Sequence, residues 1–139
     1  MMTIDPIADM LTQIRNALAV RKPEVVLPYS KFKHSLAMIL EKQGWLDHAD
    51  VADVLHLKGK NKPFKALRMH FKYDDAGSSP ITGVKRVSKP GQRIYAKFGE
   101  IGRYRTGVGV TIISTPKGLM TDREAAKAKL GGEVICQIW

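Results

Sequence analysis

The chain has 139 residues, 44% of them hydrophobic, which is enough apolar content for one ordinary domain or two small packed ones. Twenty-three Lys and Arg against thirteen Asp and Glu leave a net charge of +10 and a pI near 9.9, the electrostatic footprint of a protein with a polyanion partner. A lone cysteine, Cys136, excludes an intramolecular disulfide; Met1 to Pro6 has no basic end leading into an apolar core; and no apolar run approaches the ~20 residues of a membrane span, so a soluble, cytoplasmic protein is expected.

Asp5-Pro6 predicts a helix start, with Asp5 as cap and Pro6 in the first helical position, where its missing N–H costs nothing. Ile7, Met10, Leu11, Ile14, Ala17 and Leu18 recur at helical spacing and define one apolar stripe. Arg21-Lys22-Pro23 breaks the helix, and Glu24 to Leu27 reads as a short strand ended by Pro28. Ser30 caps a second helix, with Phe32, Leu36, Ile39 and Leu40 on its inner face and Gly44 closing it in a left-handed conformation. Val51 to Lys58 and Phe64 to Tyr73 predict a hairpin joined by the basic turn Gly59 to Pro63. The second of these strands alternates, with Leu67, Met69, Phe71 and Tyr73 on one face and Arg68, His70 and Lys72 on the other.

Asp74 to Pro80 is polar and rich in breakers, and it marks the expected linker between domains 1–77 and 78–139. Residues 1–79 carry twelve basic and nine acidic side chains, whereas residues 80–139 carry eleven and four. Most of the excess positive charge thus falls in the smaller half. That half reads as strands at 81–87, 93–98, 108–114 and 134–139, with a turn at Lys89-Pro90-Gly91 and a glycine-broken basic loop from Gly99 to Gly107. Thr121 and Glu124 form a capping box for a short helix expected to end at Gly131-Gly132. The expected fold class is α+β: an amino-terminal α-β-α-β-β unit and a mostly β carboxy-terminal unit with one short helix.

Ser114-Thr115-Pro116-Lys117-Gly118 stands out for its chemistry. Two hydroxyls suit sugar hydroxyls and base edges, Lys117 suits a phosphate, and Gly118 lets a backbone approach closely. An A-form helix hides its base edges in a deep major groove, so proteins read it through the wide minor groove, 2′-hydroxyls and splayed bases.

Four segments together resemble one family. They are Asp5 to Ala17, Arg86 to Tyr95, Ser114 to Ala125 and Gly131 to Cys136, in order and with matching spacing over nearly the whole chain. The chain resembles the small-subunit ribosomal protein S8 family in its bacterial form. The resemblance implies a two-domain protein that binds an internal helix in the central domain of the small-subunit ribosomal RNA and assists assembly of the subunit platform. It also implies neighbouring small-subunit proteins as partners, the fifth among them, and repression of the protein's own operon messenger. Pro116 departs from the family's usual Ser-Thr-Ser-x-Gly loop, which removes one hydroxyl and substitutes a stiff, flat apolar face.

The candidate RNA-binding residues are Ser114, Thr115, Pro116, Lys117 and Gly118, with Glu133, Tyr95, Arg93, Lys97, Arg86 and Lys89 in the same half. Tyr95 offers a ring for stacking. Glu133 either accepts from base amino groups or pairs with a nearby cation. Arg103 and Arg105 extend the possible phosphate-facing rim, and Lys31 and Lys33 at the start of the second helix make a second candidate patch. No catalytic residue, cofactor or metal is expected: the four histidines, His34, His48, His56 and His70, do not fall at metal-ligand spacings, and Cys136 stands alone.

Overall fold

The computed structural model describes residues 6–54, 64–104 and 109–139. The fold is α+β, with two antiparallel sheets. The element order is α1 (Pro6–Ala19), β1 (Glu24–Pro28), α2 (Lys31–Lys42), β2 (Leu46–Val54), β3 (Phe64–Phe71), β4 (Val84–Arg86), β5 (Tyr95–Ala96), a 3-10 helix (Phe98–Tyr104), β6 (Val110–Thr115), β7 (Gly118–Thr121), α3 (Asp122–Lys127) and β8 (Gly132–Ile138). The chain forms two compact units. One is Thr12–Pro80; the other is Ile81–Trp139 together with the start of α1 as far as Leu11. The expected cap Asp5, the basic turn at 59–63, its neighbours Lys58 and His56, and Arg105 lie outside the described residues.

In the unit Thr12–Pro80 three strands pair in the order β1-β3-β2. The alternation of β3 is real: Leu67, Met69 and Phe71 are buried while Arg68 and His70 are not. Helix α2 lies over β2 and β3 and buries Leu36, Ala37 and Leu40. Ser30 caps α2 by accepting from the Lys33 amide at 3.1 Å, as its position predicts. On the outer face, Asp47 is an extra residue in β2, so the register steps from Leu46↔Phe71 directly to His48↔His70. The polar stretch after β3 is an ordered turn in which Asp74 Oδ1 accepts from the Ala76 and Ser78 amides.

The three α-helices among the described residues end alike. The Lys22 amide reaches back to the Ala17 carbonyl, Trp45 to Leu40 and Leu130 to Ala125, each at 2.9 Å. The residue before each of those donors has positive φ: Arg21 at 57°, Gly44 at 83° and Lys129 at 57°. Gly44 fills the role its sequence position predicts. Helix α3 stops earlier than Gly131-Gly132 suggests, because Lys129 itself takes the left-handed conformation.

In the second unit β8 is the central strand. One edge pairs with β4 through Val84↔Ile138 and with β5 through Tyr95↔Glu133, and the other pairs with β6. Strand β7 extends the sheet beyond β6. The strands expected at 81–87 and 93–98 shorten to Val84–Arg86 and Tyr95–Ala96, and two further features differ from the sequence-based expectation. Gly118–Thr121 is a strand hydrogen-bonded to β6 rather than loop, and Phe98–Tyr104 is a 3-10 helix where glycines suggested a loop. Ala96, Ile101, Ile113, Ala125 and Val134 form the core beneath this sheet, with Val87, Ile94, Tyr104 and Met120 packed against it. Asp122 accepts from the buried Thr111 amide at 3.2 Å, tying α3 to β6.

Candidate nucleic-acid interface

Strand pairing brings together residues far apart in sequence. Glu133 lies directly opposite Tyr95 on one side and Ser114 on the other, and Ser114 in turn lies opposite Leu119. Directly paired residues share a face of the sheet. The alternate positions Ile113 and Val134 point into the core, so the row Tyr95–Glu133–Ser114–Leu119 lies on the other face. Tyr95 is 68% exposed, so core packing does not account for it.

The row ends beside a two-residue turn. Thr115 and Gly118 are paired across it, with Pro116 and Lys117 at its tip. Proline suits the first tip position because its ring already holds φ near the required value. Gly118 has φ of 112°, a region that side chains disfavour. Thr115 is nearly buried, and its hydroxyl is committed to the turn: it donates to the Gly118 carbonyl at 2.8 Å and accepts from the Lys117 amide at 3.1 Å. Its donor proton is therefore used internally. Pro116 and Lys117 are exposed, while Ser114 is half-buried beside the turn.

Gly131 and Gly132 have a structural reason to be glycine. A Cβ on Gly131 would sit 2.5 Å from the Ala96 carbonyl oxygen, and one on Gly132 would overlap the Ser114 carbonyl oxygen. This close approach draws β8 against the neighbouring chain on both sides, at the position of the row.

The cations divide by environment. Arg93 Nη1 donates to Glu133 Oε2 at 3.1 Å, so the carboxylate has a cation partner on the protein, the second of the two roles its sequence position leaves open. The Arg93 side chain stays about half exposed. Lys89 and Lys97 are exposed. Arg86 is half-buried and donates to the Ile135 carbonyl at 3.0 Å, so it braces the middle of β8 as well as carrying charge. Arg103 pairs with Glu100 at 3.6 Å within the 3-10 helix. Lys31 is exposed and Lys33 half-buried in the first turn of α2, in the other unit.

Sequence reasoning does not single out Ser88, which nonetheless holds part of this surface. It is fully buried, accepts from the Ile94 amide at 2.9 Å and donates to the Ile94 carbonyl at 3.2 Å. That closes the 88–94 segment carrying Lys89 and Arg93. A serine beside Lys-Pro-Gly gives no sign in sequence that it will be buried.

The ribosomal protein S8 family model matches residues 5–139. The chain belongs to the ribosomal protein S8 family. Curated relatives agree over their full lengths. The small ribosomal subunit protein uS8 of Caldanaerobacter subterraneus subsp. tengcongensis is 49% identical over 139 residues, covering all of both chains. That of Chloroflexus aggregans is 45% identical over 135 residues, 97% of each chain. That of Dehalococcoides mccartyi is 41% identical over 138 residues, 99% of this chain and all of the relative. This membership bears out the resemblance read from the four sequence segments. The family is one of ribosomal proteins, not of enzymes, as the sequence leads one to expect. Among the described residues no helix is long and apolar enough to cross a membrane.

Proposed function

We propose that this protein is a structural constituent of the small ribosomal subunit. Its carboxy-terminal unit holds an internal helix of the central domain of the small-subunit RNA and helps assemble the subunit platform in the cytoplasm. The observation that carries this reading is the cross-strand row Tyr95–Glu133–Ser114 ending beside the exposed Pro116–Lys117 tip. Within that row Tyr95 stacks on a base, the Ser114 hydroxyl engages a sugar or base edge, and Pro116 packs flat against the backbone. Lys117, Lys89, Lys97 and Arg93 neutralise phosphates. Glu133 orients Arg93 towards the RNA, and Arg86 holds the strand beneath it. Lys31 and Lys33 give the amino-terminal unit a second, charge-based contact.

Family membership supports two further roles. Small-subunit neighbours, the fifth protein among them, pack against this protein in the particle, and a messenger that imitates the ribosomal helix is bound and repressed in the same way.

The experiment is a binding titration of the full chain against the central-domain helix and a scrambled duplex of equal length. Native protein discriminates strongly between them. Tyr95→Ala removes a stacking contact of about 1–3 kcal/mol and narrows that discrimination. Lys117→Ala weakens both RNAs alike and lowers the salt slope by about one. Equal affinity of the native protein for both RNAs at physiological ionic strength would overturn the reading in favour of binding by charge alone.

A further inference from the structure

We propose that His48, Asp50 and His70 form a binding site for a zinc-class divalent cation on the outer face of the three-stranded sheet. In sequence these residues have no metal-ligand spacing. The β2 bulge at Asp47 brings His48 opposite His70, and their rings stack with centroids 3.9 Å apart and planes 16° apart. Asp50, two residues along β2, faces the same side. Its Oδ2 lies 3.8 Å from His48 Nε2 and 3.5 Å from His70 Nε2. Ligand atoms at about 2.0–2.2 Å from a tetrahedral zinc ion are separated by roughly 3.3–3.6 Å, so both spacings are close to those of a shared ion.

The tautomers favour the same assignment. A metal takes the lone pair of a neutral imidazole, and a carboxylate on the other ring nitrogen sets which one that is. His48 Nδ1 lies 2.9 Å from Asp47 Oδ2, and His70 Nδ1 lies 3.4 Å from Glu24 Oε2. Each ring thus has a second carboxylate beside Nδ1 that can keep the ring proton, so that both Nε2 atoms, which now face Asp50, can give their lone pairs to an ion placed between them. His70 Nε2 is buried and makes no hydrogen bond, although Asp50 Oδ2 lies 3.5 Å away.

Charge agrees as well. Glu24, Asp47 and Asp50 surround the cluster in a chain whose net charge is +10. Arg68 Nε takes Asp50 Oδ1 at 3.0 Å, leaving Oδ2 for the ion. Binding opens the ring stack, so that each Nε2 presents its lone pair in the ring plane. His48 is half-exposed, which leaves room on its solvent side for that movement, and a solvent molecule completes the tetrahedron. The ligand set, two imidazoles and one carboxylate, suits zinc and other borderline divalent metals rather than calcium or magnesium.

The test is zinc titration of the untagged full chain by calorimetry at neutral pH, with cobalt absorption as an independent measure of tetrahedral geometry. Expected are one zinc bound per chain, a tetrahedral cobalt spectrum, and loss of at least about tenfold in affinity in His48→Gln and Asp50→Asn. Glu24→Gln weakens zinc by a smaller factor through the tautomer, and His34→Gln, outside the cluster, leaves binding unchanged. His48 is exposed enough for its variant to fold, which a far-ultraviolet spectrum verifies. Absence of zinc uptake by the native chain, or uptake that His48→Gln and Asp50→Asn leave intact, overturns the proposal.

Discussion

Gly132 passes Ser114 so closely that a methyl group on the glycine would overlap the Ser114 carbonyl oxygen. The obstacle is backbone, which cannot rotate away, so β6 and β8 would have to separate where they carry the row Tyr95–Glu133–Ser114. Gly132→Ala is expected to cost about 3 kcal/mol of stability, the upper end for overpacking, read by denaturant unfolding. Gly91→Ala has open space around it and no positive φ; it should stay within about 0.5 kcal/mol of the native chain. If the two variants were equally stable, close strand approach would not be what fixes glycine at 132.

Thr115 shapes the turn from inside, because its hydroxyl both donates to Gly118 and accepts from Lys117. Thr115→Val keeps the size of the side chain and deletes both bonds. A loss of about 1–2 kcal/mol in stability is expected, with weakened binding of the specific RNA as the tip loses its shape. Thr115→Ser retains the hydroxyl and should restore most of both. A Val variant of native stability that still binds poorly would instead indicate direct contact by the hydroxyl.

Much of this architecture can be read from pattern alone. The alternation of Leu67, Met69 and Phe71 marks one face of β3, and Ser30, Gly44 and the Thr121–Glu124 box mark helix ends through local chemistry that needs no tertiary partner. Elements that depend on a neighbour are not legible in this way. Gly118–Thr121 is a strand only because β6 supplies its partners, and on its own it resembles a run-up to a helix cap. The 3-10 helix at 98–104 is held in part by Glu100 accepting from the Lys97 amide, in a stretch whose glycines suggest a loop. The site divides the same way. Ser114, Tyr95 and Glu133 stand out as residues, but only register makes them a row. A one-residue bulge at Asp47, invisible in sequence, decides that His48 meets His70.

Lys129 ends α3 with φ of 57°, a conformation that costs a side-chain-bearing residue about 1–2 kcal/mol. Glycine avoids that cost but gives up some conformational entropy and the attraction of a cation to the helix carboxyl end. Lys129→Gly should therefore raise stability by about 0.5–1 kcal/mol. Lys127→Gly, at the last residue of the same helix, should lower it by about 0.5 kcal/mol. Thermal unfolding of the pair resolves the opposite signs.

Cys136 gives the protein a stability term that depends on alkaline pH. The residue is fully buried in the middle of β8, and burial pushes its thiol from an ordinary 9.0 up to about 12, with the nearby Arg86 charge pulling the other way. Above pH 9 the unfolded chain releases this proton while the folded chain keeps it. The unfolded state then binds fewer protons, so unfolding becomes easier as pH rises. The contribution is fully present below pH 9 and is lost progressively towards about 12, with a limiting slope of about 1.4 kcal/mol per pH unit. A Cys136→Ala variant keeps every other ionisable group, so comparison with it isolates the thiol. That variant starts less stable because it leaves a small cavity, and its stability should fall less steeply with pH than that of the native chain. The native thiol should also resist a thiol reagent at pH 8 until denaturant is added. Parallel pH profiles for the two proteins, or rapid labelling of the folded chain, would show that Cys136 is not sealed within β8.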